Sequence, residues 1–366
     1  MTFDELTEIL LSEKPSEQIK AHEQEIFALI PELETCKGFD QHNHWHIYDV
    51  YEHILHVVDE VPNTILLRLS ALFHDLGKPS SFTIDENGVG HAYGHWKESC
   101  RIFDEFATRN DIPLPLKKRI DILVYYHDIH LEKLDDESLL KIGVDNIRPL
   151  FQLKRADLLA QNPKYHHLLE GYKEQENEVL SRITELNQKE LERILLSDNV
   201  KESINNNIDR LLEIIPEIRH IVGFPHNHPH HHLDVWNHTL LALSLSEKDL
   251  ITRLTLLLHD IGKPFSYQDA EVRHFHNHAE VSANISKGIL ERLGYPKEMV
   301  EEIVYLIRYH DTEITRDDIQ EKLELTLKRL HVQECDSKAH NPDYQAKRLE
   351  YIDKIKKLVN QHNVDN

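Results

Sequence analysis

The stretch Ala71-Leu72-Phe73-His74-Asp75-Leu76-Gly77-Lys78-Pro79 ends an apolar run on adjacent His and Asp residues. Gly just past the end of a helix, with Pro soon after it, is a typical helix stop signal. The stretch recurs 185 residues later as Leu256-Leu257-Leu258-His259-Asp260-Ile261-Gly262-Lys263-Pro264. Imidazole and carboxylate groups are costly to bury unless they are paired or bind a metal. Two matching copies therefore indicate a functional site rather than a hydrogen-bonded helix end.

The repeat continues on both sides of this stretch. Asp49-Val50-Tyr51-Glu52-His53 matches Asp234-Val235-Trp236-Asn237-His238 at the same offset, and Tyr126-His127-Asp128 matches Tyr309-His310-Asp311 at an offset of 183. Self-similarity over this length indicates two structural units in one chain. We interpret the chain as two tandem units related by internal duplication. They are residues 1–187, with N-terminal helices, and residues 188–366, with C-terminal helices.

The apolar residues within each unit recur at helical spacing. Ile47, Val50, Tyr51, Ile54 and Leu55 fall at i, i+3, i+4, i+7 and i+8, which places them on one face of a helix. Glycine is scarce, at 11 residues, and strictly alternating apolar runs are absent from the sequence. These features predict an all-α fold. Two alternatives stay open for residues 82–93, a loop or a short β-hairpin.

The composition restricts the partners and the compartment. A formal net charge of −22 repels a long phosphate backbone, so nucleic acid is not expected as a partner, whereas a small nucleotide or phosphoester is. No apolar run reaches the about 18–20 residues that span a bilayer, and the start of the chain does not read as a signal peptide. The three Cys residues have neither metal-binding nor disulfide spacing. We therefore predict a soluble cytoplasmic protein with no membrane partner.

Each unit contains the same ordered set of His and Asp residues. The two sets are His53, His74, Asp75, His95, His127 and Asp157, and His238, His259, Asp260, His278, His310 and Asp336. The first interval, 21 residues, and the third, 32 residues, are identical in the two sets. Residues that share a site in space would be kept in this way while the loops between them change in length.

The chemistry of these residues favours a metal centre. Neutral imidazole and carboxylate groups together suit Mn²⁺, Fe²⁺, Zn²⁺, Co²⁺ or Ni²⁺, and Mg²⁺ stays open. Two His and two Asp can hold one ion, and a bridging Asp with two further His can hold a second, so we expect one or two ions per unit. Two ions about 3.5–4 Å apart can share a hydroxide and clamp a phosphoryl group, which favours hydrolysis of a P–O bond. The alternatives are hydrogen-bonded core His residues or a closed structural metal site.

The ordered ligands resemble the HD superfamily of metal-dependent phosphohydrolases, and the additional His95 and His127 resemble its two-metal branch. A closer resemblance, over nearly all of both units, is to the C-terminal HD half of bacterial tRNA nucleotidyltransferases. It rests on Ile30-Pro31-Glu32, on Asp49-Val50-Tyr51-Glu52-His53 and on His74-Asp75-Leu76-Gly77-Lys78. Family members with this ligand set hydrolyse nucleotide phosphomonoesters or phosphodiesters, including 2′,3′-cyclic ones. The sequence has no Gly-rich strand followed by paired Asp residues, so the polymerase head, and with it nucleotide addition to tRNA, is not expected.

The resemblance also implies a role for each ligand. In the first unit His53, His74, Asp75 and Asp157 would bind one metal, and Asp75 would bridge to a second ion held by His95 and His127. The second unit would use His238, His259, Asp260 and Asp336 for one ion, with His278 and His310 for the other.

Two further pairs of residues are candidates for substrate binding. Lys78 and Lys263 follow the His-Asp pairs, and a cation there can hold a phosphate oxygen and offset the charge of the transition state. We therefore expect both Lys residues to act in catalysis together with Asp75 and Asp260, with a solvated turn residue as the alternative. His46 and His231 occupy matching positions and are expected to line the mouth of the site. The other His residues of the tract 226–232 are expected to face solvent or to bind metal adventitiously.

Together these observations favour a metal-dependent phosphoric ester hydrolase that acts on a nucleotide or small phosphoester. The rival hypothesis is a nucleotide sensor, in which one or both sites bind without turnover. Two related helical units in one chain suggest a monomer with an internal pseudo-two-fold, and a homodimer stays the alternative.

Overall fold

The computed structural model describes residues 1–268 and 272–365 and is almost entirely helical over them, which confirms the predicted all-α class. The chain divides into two compact units, Met1–Ile183 and Thr184–Asn366. The division falls within one long helix, Tyr172–Leu195, which also contains residues 187 and 188, where the sequence placed the boundary. None of the described helices is long and apolar enough to cross a membrane.

The first unit is an assembly of helices that ends in this long helix. In chain order they are α1 (Phe3–Leu10), α2 (Pro15–Ala21), α3 (Glu23–Leu29), α4 (Pro31–Cys36), α5 (Val50–Glu60), α6 (Ile65–Phe73), α7 (Lys78–Ser81), α8 (His95–Arg109), α9 (Leu114–Tyr126), α10 (Asp136–Ile142), α11 (Val144–Leu159) and α12 (Tyr172–Leu195). Short 3₁₀ segments occur at Leu131–Lys133 and Pro163–Gly171.

The second unit continues with a comparable series of helices. They are α13 (Val200–Asn206), α14 (Ile208–Ile214), α15 (Val235–Ser244), α16 (Leu250–Leu258), α17 (His278–Arg292), α18 (Lys297–Arg308), α19 (Arg316–Glu321), α20 (Leu323–Ala339) and α21 (Pro342–Asp365). Its 3₁₀ segments are Pro216–His220 and Lys263–Phe265.

Each unit also contains one small antiparallel hairpin. Strand β1 (Thr83–Ile84) pairs with β2 (Gly90–His91), and β3 (Tyr267–Gln268) pairs with β4 (His274–Phe275). Of the two alternatives for residues 82–93, the structure has the hairpin. Its strands of two residues are too short to show an alternating pattern in the sequence. Helices and hairpin follow one another in a similar order in both units, and their origin by duplication stays an interpretation of the sequence.

Helices α6 and α16 run through the cores of their units. Residues 66–73 of α6 and 252–258 of α16 are all buried, as expected for helices that are apolar around most of their circumference. The Thr64 hydroxyl accepts a hydrogen bond from the Leu67 amide at the start of α6. The Asp249 carboxylate accepts one from the Thr252 amide at the start of α16. Both helices are therefore capped. Their C-terminal ends place the His-Asp pairs inside the protein.

Asp49 and Asp234 each precede a ligand His by four residues, at the start of the helix that carries it. The structure shows caps. Asp49 Oδ1 accepts a hydrogen bond from the Glu52 amide at 2.7 Å, and Asp234 Oδ1 accepts one from the Asn237 amide at 2.7 Å. Each cap sets the first residue of α5 or α15 and thereby places the ligand His one turn later.

Gly77 and Gly262 allow the helix that follows each hairpin to approach the end of the core helix. A Cβ atom on Gly77 would lie 2.3 Å from the His95 carbonyl oxygen, and one on Gly262 would lie 2.5 Å from the Ser282 amide nitrogen. The Gly77 amide donates to Ser99 Oγ at 2.9 Å, and the Gly262 amide donates to Ser282 Oγ at 2.9 Å. Helices α8 and α17 are thus held directly against the His-Asp turn.

Substitution of Gly262 by Ala should destabilise the second unit by about 1–3 kcal/mol, because the added methyl group overpacks this contact. Gly288→Ala is the matched control, since Gly288 is exposed in α17 and a Cβ there meets nothing within 4 Å. That variant should be more stable by about 0.5–1 kcal/mol, because Ala is the better helix former. Urea unfolding followed by the fluorescence of Trp236, with Trp45 and Trp96 replaced by Phe, measures both. Equal stability of the two variants would contradict the close contact.

Candidate metal centres

Asp75 lies at the centre of the candidate site of the first unit. Its Oδ2 is 3.3 Å from His53 Nε2 and 3.2 Å from His74 Nε2. Its Oδ1 is 3.2 Å from His95 Nε2 and 3.6 Å from His127 Nε2. All five side chains are buried. One carboxylate is thus shared between two pairs of imidazoles, with one oxygen facing each pair.

Five helices deliver these residues and the sixth predicted ligand, Asp157. His53 lies in α5, His74 and Asp75 follow α6, His95 begins α8, and His127 follows α9. Asp157 lies in the last turn of α11, and its Oδ1 is 3.0 Å from His53 Nε2. All six residues of the first predicted set are therefore brought together.

The second unit brings its predicted set together in the same way. Asp260 Oδ2 lies 3.7 Å from His238 Nε2 and 3.3 Å from His259 Nε2, and Asp260 Oδ1 lies 3.5 Å from His278 Nε2. His278 Nε2 is 3.3 Å from His310 Nε2. Asp336 Oδ1, from α20, is 2.9 Å from His238 Nε2 and 3.6 Å from His259 Nε2.

Backbone carbonyl groups hold the other nitrogen of the ligand imidazoles. The Nδ1 atoms of His74, His95 and His127 lie 2.7, 2.9 and 2.7 Å from the carbonyl oxygen three residues earlier in the chain. Those of His259, His278 and His310 lie at 2.7, 3.0 and 2.6 Å from the corresponding oxygens. Because a carbonyl only accepts hydrogen bonds, Nδ1 carries the proton in each ring. In the neutral form of each ring, Nε2 then carries the lone pair.

The facing Nε2 atoms need a positive charge between them. His53 and His74 approach to 3.4 Å, and His95 and His127 to 3.2 Å, through atoms that both carry lone pairs in the neutral rings. Burial alone would lower the pKa of His53, but the carboxylates of Asp157 and Asp75 raise it to about 9. Burial likewise disfavours the charged form of His259, whereas Asp260 and Asp336 raise its pKa to about 10. Both centres therefore attract cations.

The carboxylates at the two centres have oxygens without well-aligned donors. Among the described residues, none donates a hydrogen bond of good geometry to either oxygen of Asp75 or Asp260, although a Lys Nζ lies 2.7 Å from Oδ2 of each. Burial would raise the pKa of Asp75, but His74 and Lys78 hold it well below its usual value. A buried, ionised carboxylate with open lone pairs is suited to a metal ion.

The residues present therefore fit divalent ions, as the sequence predicts. Ligand atoms within 4.8 Å of one another form two groups in each unit. They are His53, His74 and Asp157; His74, Asp75 and His127; His238, His259 and Asp260; and Asp260, His278 and His310. Imidazole with carboxylate suits a first-row transition metal.

Lys78 and Lys263 approach the shared carboxylates from the side of the open cavity. Lys78 Nζ also lies 2.8 Å from Gln41 Oε1, and Lys263 Nζ lies 3.0 Å from His226 Nε2. Neither Lys is a solvated turn residue, because Lys78 is only 12% exposed in its side chain and Lys263 only 6%. Gln41 and His226 occupy matching positions at the offset of 185. Sequence analysis missed their role, although that match was a usable signal.

His46 and His231 line the cavities of their units, in the region where the sequence places them. His46 Nε2 is 3.4 Å from Lys78 Nζ, and His231 stacks on His226 with ring centroids 3.7 Å apart. The expectation that the rest of the tract 226–232 faces solvent is wrong for His226, which is 2% exposed. The His226 ring points into the protein, where its Nδ1 donates a hydrogen bond to the Leu233 carbonyl oxygen at 2.8 Å.

Each centre opens into a cavity of modest size. The first cavity has a volume of about 210 Å³ and the second about 230 Å³. Besides the ligands, each is lined by its Lys and by the Asp that directly follows the last ligand His, Asp128 or Asp311. A concave site with a few convergent polar groups suits a small ligand.

Comparison with known proteins assigns the second unit. Residues 230–355 match the HD domain. The match contains all six predicted ligands of this unit. HD domains bind divalent metals, which agrees with the groups of His and Asp side chains that surround Asp260.

Curated relatives of the chain are tRNA nucleotidyltransferases. The CC-adding tRNA nucleotidyltransferase of Thermus thermophilus is 39% identical over 136 residues, which cover 33% of this chain and 30% of that enzyme. The A-adding tRNA nucleotidyltransferase of Deinococcus radiodurans is 35% identical over 114 residues, 29% of this chain and 26% of that enzyme. The multifunctional CCA protein of Hahella chejuensis is 33% identical over 105 residues, 27% of this chain and 24% of its own. The chain thus spans at most about three-tenths of the length of these relatives, in agreement with a likeness to their HD half.

The names of the first two relatives refer to tRNA, which weighs against the expectation from net charge that nucleic acid is not a partner. That expectation stays a prediction, as does the cytoplasmic location. Residues 230–355 form an HD domain, and its His and Asp side chains form groups that fit a divalent metal ion.

Asp260→Asn should remove metal from the second unit and leave the first unit loaded, because Asp260 belongs to both ligand groups there. Loss of a group that hydrogen-bonds to a metal ligand lowers metal affinity by up to about 100-fold. Loss of the ligand itself should lower metal affinity by more than this. Asp75→Asn should have the reciprocal effect in the first unit, because the two oxygens of Asp75 face both pairs of imidazoles there. Metal content after dialysis, measured by mass spectrometry, tests both. Glu86→Gln, at an exposed acid of the β1–β2 turn, is the control and should keep the full metal content. A full content in the two Asp variants would contradict the assigned centres.

Proposed function

We propose that the protein is a metal-dependent phosphohydrolase that acts on a nucleotide or small phosphoester in both units. The observation that carries this proposal is one buried carboxylate shared by four imidazoles, Asp75 in the first unit and Asp260 in the second. A structural metal site needs only a closed set of about four ligands around one ion. Two ligand groups that meet beside an open cavity instead suit two-ion hydrolysis.

We further propose that the first unit is a second HD domain. Its ligands come from the same positions in a similar order of helices, and its distances resemble those in the unit that matches the HD domain. The tandem arrangement would give the chain two hydrolytic sites.

Divalent ions held by these ligands would supply Lewis-acid activation of water and positive charge for the phosphoryl oxygens. Asp75 and Asp260 would fix the spacing of the two ligand groups, since each offers one oxygen to either side. The backbone carbonyls that hold Nδ1 would keep each imidazole in the tautomer with a free Nε2 lone pair. The protein thereby supplies an arrangement that is fixed before substrate arrives.

Lys78 and Lys263 would share their ammonium groups between the central carboxylate and a phosphoryl oxygen. Each Nζ already lies 2.7 Å from Oδ2 of the Asp, on the side where the cavity opens, and a charge-assisted hydrogen bond from it would strengthen as negative charge develops. His46 and His231 would border the entrance. Asp128 and Asp311, which line the same cavities, would accept the proton that the attacking water releases and return it to the leaving alkoxide.

A hydrolysis screen on the purified chain tests the proposal. It would use a generic phosphomonoester, a generic phosphodiester and nucleotides, including 2′,3′- and 3′,5′-cyclic forms, in Mn²⁺, Ni²⁺, Co²⁺ and Mg²⁺. Asp75→Ala and Asp260→Ala should each lower the turnover of their own unit by at least about 100-fold, the effect of removing one strong electrostatic contact in other enzymes. The double variant should be inactive.

Glu86→Gln is again the control and should keep wild-type turnover. Turnover that survives in the double variant would overturn the proposal. Tight nucleotide binding without turnover in any of the four metals would support the sensor instead. If chelation unfolds the protein while phosphate compounds leave its melting temperature unchanged, the ions are structural.

A further inference from the structure

The two cavities are lined by metal ligands of the same types but differ in their Lys and Arg residues. Each is lined by three Asp residues among the residues that the structure describes. Within the same described residues, Lys78 is the one Lys or Arg that lines the first cavity. The second is lined by Lys263, Arg273 and Arg348. Among the described residues, the wall of the second cavity therefore contains two Arg side chains that the wall of the first lacks.

Arg348 reaches the second centre from α21. Its Nη2 lies 3.6 Å from Asp336 Oδ2, and its Nε donates to Ser337 Oγ at 3.0 Å. The side chain is 38% exposed, so part of the guanidinium group stays accessible from the cavity. In the first unit a neutral group contacts the corresponding carboxylate, because Gln161 Nε2 donates to Asp157 Oδ1 at 3.2 Å.

Arg273 lies directly before β4, at the position that Gly90 occupies in the first hairpin. The equivalence is structural, since the Arg273 amide donates to the Asn227 carbonyl oxygen and the Gly90 amide to that of His42. The Arg273 guanidinium lies over the Tyr267 ring, 4.6 Å from its centroid, and is thereby held at the cavity wall. A Cβ atom on Gly90 would lie 2.3 Å from the Gln41 carbonyl oxygen. The first unit therefore cannot carry an Arg at this place without moving its backbone.

The first cavity has a Tyr and a Trp in its wall. Tyr93 and Trp96 both line it. Tyr93 is 77% exposed and stacks on His91 with ring centroids 5.1 Å apart and planes 8° apart. At an offset of 183 the second unit has His276 and Ala279 at these positions. A flat ring bound beside the first centre would find a stacking surface, whereas the second cavity lacks the Trp and gains cations.

We propose that the two units divide their ligands by charge, and that the second cavity takes a phosphoester with an additional phosphate group beyond the one at the metal centre. A diphosphate or a bisphosphate has this chemistry. Planar guanidinium groups match phosphate oxygens in pairs, and Arg273 and Arg348 flank the centre that would hold the first phosphate. The first cavity takes a single phosphate attached to an aromatic ring. This inference rests on the proposed function for the chemistry of the centres and adds the class of ligand at each.

Binding of non-hydrolysable phosphonates tests the inference separately from catalysis. Methylphosphonate, methylenediphosphonate and phenylphosphonate would be titrated calorimetrically into the full chain, with free Mn²⁺ held constant by a metal buffer. The Asp75→Asn protein keeps only the second centre, and the Asp260→Asn protein only the first. The second centre should bind the diphosphonate at least about tenfold more tightly than methylphosphonate, since one charge-assisted contact is worth about that factor. The first centre should bind the two within about threefold and should prefer phenylphosphonate.

In the Asp75→Asn protein, Arg348→Gln should weaken diphosphonate binding about tenfold and change methylphosphonate binding less than about twofold. Lys354→Gln is the matched control, because it removes one positive charge from an exposed position on the same helix. It should leave both affinities within about twofold. Circular dichroism and Mn²⁺ content would establish that each variant is folded and loaded.

An equal preference for the diphosphonate in both units, or equal effects of Arg348→Gln and Lys354→Gln, would overturn this inference while leaving the proposed function intact. If no phosphonate binds to either loaded centre and no ester is hydrolysed, the proposed function itself fails. The two failures are therefore distinguishable.

Discussion

A carboxylate buried at the end of a core helix, with imidazoles facing both of its oxygens, is the constraint on which each unit depends. Asp75 and Asp260 stay ionised in surroundings that disfavour charge, so their environment must supply positive charge. Imidazoles can supply this charge in two ways, because each can carry a proton itself or offer a lone pair to a cation. Because Nδ1 donates to a carbonyl oxygen, Nε2 is the ring atom that takes up the proton or offers the lone pair. The helix ends that supply these carbonyls therefore act as parts of the site.

The fold surrounds this carboxylate from several directions. The core helices bring it into the interior, capped helices bring His53 and His238 one turn after their first residue, and the glycines after the His-Asp pair let α8 and α17 approach. Each of these features is local and short in sequence, which is why the ligands keep their places at the ends of the helices even where the loops between them differ in length. Stability and chemistry are linked here, because the turn that ends the core helix also forms the floor of the cavity.

Much of this could be predicted from the sequence. Helical spacing predicted the all-α class, and the ordered His and Asp residues predicted which side chains meet, because these positions carry the same residue type in both copies. For residues 82–93 the sequence allows a loop or a hairpin, since two-residue strands carry no periodic signal. His226 was misjudged because a tract of His residues looks polar, whereas one member is buried by its contacts with Leu233 and Lys263.

The lining of the cavities was harder to predict, for a physical reason. Arg273 and Arg348 reach the second centre from a hairpin and from a helix that lies beyond the last ligand, so their positions depend on the packing of whole elements. The metal ligands of each unit are constrained by a centre of the same type, whereas the lining residues are constrained only by what enters the cavity. Identical centres inside unlike cavities are therefore what we expect when the chemistry is kept and the ligand differs. The exclusion of a side chain at Gly90 makes this difference a property of the backbone as well as of the side chains.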